Sequence, residues 1–188
     1  MKWLPALGLV LLVAGCGSTP PTHYYTLDPV AGRHMTTAGA SRPVRVAAVH
    51  IPAALDRSEI VSETAPGKMD LSDQNRWVSP FGDMARRVLT QDLDRRLPAG
   101  TVILPKEPAP PHTAQIVVDV LEFDRDPAGL IVFDGSWSLS NSAKDRPMSN
   151  RHFHLTDRPD GTDVNGQVAA MSRLLGQLAD QIAGQVSQ

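Results

Sequence analysis

Two sets of side chains are of types and spacings that could do chemistry. His152 and His154 stand two apart, so an extended strand would project both imidazoles from one face, a geometry able to ligate zinc. Zinc needs further ligands, and the neighbouring residues offer no recognisable third. Alternation with Phe153 and Leu155 describes instead the solvent-facing side of a strand. Asp119, Glu122, Asp124 and Asp126 are carboxylates of the kind used in general acid–base catalysis. Asp119 and Glu122, however, are an odd number of residues apart and would face opposite sides of a regular strand. Asp124 and Asp126 fall where a turn begins, and turn chemistry accounts for them. No G-x-S-x-G elbow frames a serine, and neither G-x-x-x-x-G-K-[ST] nor G-x-G-x-x-G occurs. These residues therefore name no catalytic, cofactor-binding or metal site, and a hydrolase is the weakest functional reading.

Composition narrows the classes further. With 18 Lys+Arg against 20 Asp+Glu in 188 residues, the chain lacks the basic surplus that nucleic-acid binding requires. Apolar residues at 41% describe a folded domain rather than a disordered tail. The single cysteine excludes an internal disulfide framework and a Cys-rich zinc site. Its position is informative. Lys2 supplies a positive start, and Trp3 to Val13 carries no charge. A helix of that length spans about 17 Å against the ~30 Å of a bilayer core, and Pro5 and Gly8 interrupt it. These are the proportions of a secretory leader.

Val13-Ala14-Gly15-Cys16 resembles the bacterial lipobox. That resemblance implies a lipoprotein signal peptide over residues 1–15, diacylglycerol on the Cys16 sulfur, and a further acyl chain such as palmitate on the new amino terminus. Each buried methylene contributes ~0.8 kcal/mol, so two or three chains hold firmly where one does not. Gly17 rather than Asp after the cysteine implies the outer membrane, facing the periplasm. Residues 16–22 then form a polar, Pro-bearing tether, and 23–188 a single domain.

The elements that must position these residues follow from periodicity. His23 to Leu27, Val44 to Ile51 and Glu59 to Glu63 read as strands, with Lys68 to Ser72 pairing back across Pro66-Gly67. Ser79-Pro80 predicts a helix start, Ser79 capping and Pro80 in the first turn. Phe81, Met84, Ala85, Val88, Leu89, Leu93 and Leu97 form its apolar stripe. Thr101 to Leu104 reads as a further strand. Gln115 to Phe123 and Leu130 to Leu139 are the longer strands, joined by the Asp126–Gly129 turn. In the first, Ile116, Val118 and Val120 share one side, and Val117, Leu121 and Phe123 the other. Asn150 to Thr156 is one more strand, and Asp163 to Val186 a second amphipathic helix. The sum is an α/β fold: a mixed sheet of about five to seven strands with two main amphipathic helices packed on it. Trp77 and Trp137 are read as core indoles, and both helices as packing on the sheet rather than on a membrane.

Taken in order, these residues resemble the PqiC/YmbA-type auxiliary lipoproteins of MCE-protein transport systems. The resemblance rests on Cys16, Tyr24-Tyr25-Thr26-Leu27, Val44-Arg45-Val46, Ile51-Pro52, Leu55-Asp56-Arg57 and Ile60-Val61. Arg76-Trp77-Val78-Ser79-Pro80-Phe81, Val118 to Phe123 and Gly129…Trp137 extend it across nearly all of the mature chain. Ser58-Glu59 stands where Pro-Gln is usual, and Ser79-Pro80-Phe81 where Glu-Pro-Leu is typical. The resemblance implies a non-catalytic accessory subunit of an intermembrane lipid transport system that maintains envelope integrity. Its implied partners are an MCE-domain periplasmic protein and inner-membrane transporter components, and a ring or other homo-oligomer would suit mating with a conduit. The alternative in the binding class is an envelope lipoprotein that scaffolds secretion or cell-wall machinery.

Overall fold

The computed structural model describes residues 20–34, 42–141 and 149–187, so the leader and Cys16 lie outside the described residues. In chain order the elements are β1 (His23–Tyr25), β2 (Val44–His50), β3 (Glu59–Ala65), β4 (Lys68–Trp77), α1 (Phe81–Arg96), β5 (Ala114–Arg125), β6 (Ile131–Ser140), β7 (Ser149–Asp157) and α2 (Val164–Val186). The strands make one mixed sheet in the order β1-β4-β3-β5-β6-β7. β2 runs parallel to β5 along Ala114–Asp119, and β3 meets β5 further on, at Arg125. Both helices pack on one side of the sheet, α1 over β2 and α2 over β5, β6 and β7. This is the α/β arrangement that the periodicity predicts.

β5 is central because its alternate residues Ala114, Ile116, Val118 and Val120 are all buried against the helices. The ladder to β6 then slips: Val120 faces Gly135 and Glu122 faces Asp134, which leaves Leu121 as an extra residue. Regular alternation predicts Phe123 on the side of Val117 and Leu121. The bulge turns it over, so Phe123 is buried and stacks on Phe133 at 3.9 Å, while Leu121 is 71% exposed. The stack belongs to a row of aromatic rings running through Trp77, Phe81, Phe123, Phe133 and Phe153. Trp77 and Trp137 are core residues, as their flanks suggest. The β5–β6 turn closes on Gly129 at φ 84°, a left-handed conformation that glycine adopts without penalty, and Asp126 Oδ1 accepts from Leu130 N at 2.7 Å.

Three local expectations shift. Pro80, not Ser79, occupies the cap position of α1, and neither caps through its side chain. Asp56 reaches over instead, its Oδ1 accepting from Gly82 N at 3.3 Å. Thr101 to Leu104 forms no strand of its own, only a bridge from Val102 to Val44 on the edge of β2 opposite β5, because Pro105 follows. β1 ends at Tyr25, and Thr26-Leu27 leaves the sheet. α2 begins as read, with Asp163 Oδ1 accepting from Gly166 N at 2.9 Å. Asp163→Ala is expected to lower the urea midpoint of unfolding and to speed amide exchange in the first turn of α2, while Asp163→Asn leaves both nearly unchanged.

Candidate functional site

The amino-terminal segment is where the proposed anchor would meet the folded body. Tyr25 pairs with Trp77 at the sheet edge, and its carbonyl accepts from Val78 N. Thr26 to Gly32 then crosses to the helix side as a leash. Leu27 is fully buried. Residues spaced three and four apart on α1 share one face, and here that face holds the leash. Arg87 donates to Thr26 Oγ1 at 3.1 Å and to the Leu27 carbonyl at 3.0 Å. Asp92 Oδ1 accepts from Val30 N at 2.8 Å, and Arg95 donates to the Pro29 carbonyl at 3.1 Å. From α2, Ser172 Oγ accepts from Asp28 N at 3.2 Å. Gly176 admits the leash, since a Cβ there would strike the Val30 side chain.

Arg96 joins the three elements. It is 1% exposed; its Nε and Nη2 donate to Asp180 of α2 at 2.7 and 3.4 Å, and its Nη1 to the carbonyls of Val30 and Asp92. Asp92 is fully buried, and burial pushes its carboxyl up to about 6, against the opposing pull of the Val30 N–H and the Arg96 guanidinium. Beside the leash, a cleft of about 560 Å³ opens between β1 and α2, lined by Tyr24, Asp28, Asn165, Ala169 and Arg173 among others. Arg173 in its wall is held by Asp157 at 2.6 Å and Asp160 at 3.1 Å. The arrangement grips a backbone through many fixed polar contacts.

The residues singled out for chemistry lie elsewhere, on the sheet face away from the helices. His152 and His154 do share that face, opposite Ser136 and Asp134. His154 Nδ1 lies 3.1 Å from Asp134, and His50 Nδ1 lies 2.7 Å from Asp119. Among the described residues no group of three or more His, Cys, Asp or Glu is placed to hold a metal ion. The β5 bulge corrects the reading of Asp119 and Glu122: they pair with Ser136 and Asp134, two apart on β6, and so lie on the same face. Asp126 serves the turn. Asp124 does more than turn chemistry requires: it is 4% exposed, and burial, then Glu122, Glu63 and Asp126, push its carboxyl up to about 6.

A raised carboxyl has a definite consequence for stability. Between its unfolded value near 4 and about 6, folded Asp124 binds more protons than the unfolded chain does, so its contribution falls as pH rises through that window. Asp92 acts in the same sense. Glu59 and Asp163 act oppositely: their carboxyls are held low, mainly by Ser58 and by the Gly166 N–H respectively, and their support is lost at acid pH. Asp124→Asn is therefore expected to raise stability at pH 7 by roughly 2–3 kcal/mol and to have little effect at pH 4, as read by urea unfolding at both pH values.

Sequence reasoning missed the leash clamp. Asp92 and Arg96 are polar residues four apart, beside an apolar stripe, and Ser172 and Gly176 are small residues on the buried side of α2. That coincidence was the available signal.

Fold and site together define a class: a two-layer α/β domain whose amino-terminal leash is clamped between its helices. The chain belongs to the family of ABC-type transport auxiliary lipoprotein components, whose model matches residues 25–183. The PqiC/YmbA-type resemblance is consistent with that membership. A structure described only as an uncharacterized protein superposes with a TM-score of 0.71 at 22% identity, covering 89% of this chain and 99% of that one. A Xanthomonas campestris protein of the DUF330 family gives 0.70 at 19% identity, over 87% of this chain and 94% of its own. Both are similar in fold. A search of curated proteins finds no match. Membership makes this chain a lipoprotein-type auxiliary component of an ABC transport system, and no helix among the described residues is long and apolar enough to cross a membrane.

Proposed function

We propose that the protein is anchored in the outer membrane through lipid on Cys16, faces the periplasm, and serves as a non-catalytic accessory subunit of an MCE-type intermembrane lipid transport system that maintains the envelope. The observation that carries this reading is the clamped leash. A subunit that links a membrane to a conduit bears tension at its attachment point, and a terminal segment held only by β1, three residues long, would peel away. Burying Leu27 and fixing the leash backbone through Arg87, Asp92, Arg95 and Arg96 spreads that load over both helices. The polar, Pro-bearing tether ahead of it holds the folded domain off the lipid surface.

The test has two arms in native envelopes. Metabolic labelling with palmitate is expected to mark the wild-type protein, and Cys16→Ala to abolish the mark. Crosslinking followed by purification is expected to recover an MCE-domain subunit. Recovery of cell-wall or secretion components without any MCE protein would transfer the protein to the scaffolding alternative, and labelling that survives Cys16→Ala would remove the anchor.

A further inference from the structure

Among the described residues no second layer covers the sheet face turned away from the helices, and one region of that face is built unlike the rest. Directly paired residues share a face, so Val61 stands beside Leu71, Glu63 beside Met69, Glu122 beside Asp134, and Asp124 beside Val132. Met69 and Leu71 are exposed, and the bulge adds the outward Leu121. Glu63, Glu122 and Asp126 are close enough to Asp124 to oppose its ionisation, and Asp134 does the same to Glu122. Arg125 is engaged elsewhere, donating to the Thr162 carbonyl ahead of α2, and His154 lies within the cluster, its Nδ1 3.1 Å from Asp134.

The contrast with the other buried acid is decisive. Asp92 meets a backbone N–H and a guanidinium. Asp124, 4% exposed, accepts no hydrogen bond among the described residues and has no cation beside it there. It has the form of one half of a buried ion pair, whose lone half is costly. The missing half is a lysine or arginine, and Leu121, Leu71 and Met69 offer apolar contacts around it. A lipid surface with anionic headgroups would be repelled by the same carboxylates.

We propose that this face docks a basic, amphipathic segment of a partner protein, a Lys or Arg of which enters beside Glu63 and Glu122 to pair with Asp124. The proposal deepens the accessory-subunit reading and rests on it only for which protein supplies the segment.

The test uses the full-length, lipid-anchored protein in its native envelope. A photo-crosslinking amino acid replaces Leu121, and a second, at Arg86 on α1, serves as the reference; captured peptides are sequenced. The Leu121 probe is expected to capture one segment bearing Lys or Arg. Asp124→Asn and Glu122→Gln are each expected to reduce that capture about tenfold or more without changing what Arg86 captures. Because Asp124→Asn removes a buried charge, that variant is expected to accumulate normally and to melt at a higher temperature, which separates lost docking from lost folding. Capture of lipid, of a second copy of this chain, or of a segment without Lys or Arg overturns the proposal. So does capture that Asp124→Asn leaves unchanged, or no capture at all. A basic segment from a protein outside any transport system would uphold the docking face and refute the accessory reading. Transport subunits that still co-purify while Leu121 captures nothing would do the reverse.

Discussion

Arg96→Ala is expected to lower the unfolding free energy by about 3–5 kcal/mol, the range for removing one partner of a buried charge pair. The guanidinium satisfies three elements at once: Asp180 on α2, the Val30 carbonyl on the leash, and the Asp92 carbonyl on α1. It also lies 3.5 Å from the fully buried Asp92 carboxylate. With Arg96 gone, that carboxylate keeps the Val30 N–H as its remaining hydrogen bond, while its Oδ2 is already unpartnered among the described residues. The charge then has to be neutralised or exposed. Three measurements follow from this account. Adding Asp92→Asn should recover part of the loss, so the two substitutions are strongly non-additive in urea unfolding. The penalty should shrink at pH 5, where an uncompensated buried carboxyl takes up a proton more readily. Limited proteolysis should cut the variant first within Leu27 to Gly32. Additive substitutions with a pH-independent cost would show that Arg96 acts through packing alone. Arg96→Lys keeps the charge but not the fork that engages Asp180 through two nitrogens, and should recover less than half.

Phe133→Ala is expected to cost about 3–5 kcal/mol as well, by a different mechanism. Phe133 is fully buried, with ring centroids 3.9 Å from Phe123 and 4.8 Å from Phe153. Phe123 in turn lies 5.4 Å from Phe81, which stacks on Trp77 at 4.9 Å. The row ties β4, α1, β5, β6 and β7 together, so the cavity opens at the middle of the core, where neighbours on both sides are held by other rings. A fall in melting temperature on the order of 10 °C should be seen by circular dichroism. Phe133→Leu, which refills most of the volume, should cost well under half as much. Equal effects of leucine and alanine would indicate that edge and stacking geometry, not volume, dominate.

The elements were legible in the chain because their signals are local. The 3.6-residue stripe of α2 and its Asp163 cap, the Pro66-Gly67 and Asp126–Gly129 turns, and the alternation of β6 depend on neighbours a few residues apart. The resemblance to auxiliary lipoproteins was legible for the same reason, as an ordered series of short motifs. The faces of β5 were not. A bulge is a property of a pair of strands, and nothing within Val118 to Asp124 announces that Leu121 will be left without a partner. Strict alternation therefore misplaced Phe123 and separated Asp119 from Glu122. The start of α1 misled in a similar way, because its capping carboxylate comes from Asp56, well upstream in the chain.

By itself, then, the sequence determined the family, the α/β class and the Cys16 motif that implies an anchor, since each is carried by residue type, order or short-range spacing. Only the tertiary structure decided that Arg96 and Asp92 clamp the leash against Asp180, and that Asp124 is a buried carboxylate without a counter-charge among the described residues. Those properties depend on desolvation and on partners brought together from distant segments. Polar residues read as ordinary surface or turn chemistry acquire their energetic weight only once folding removes the water around them.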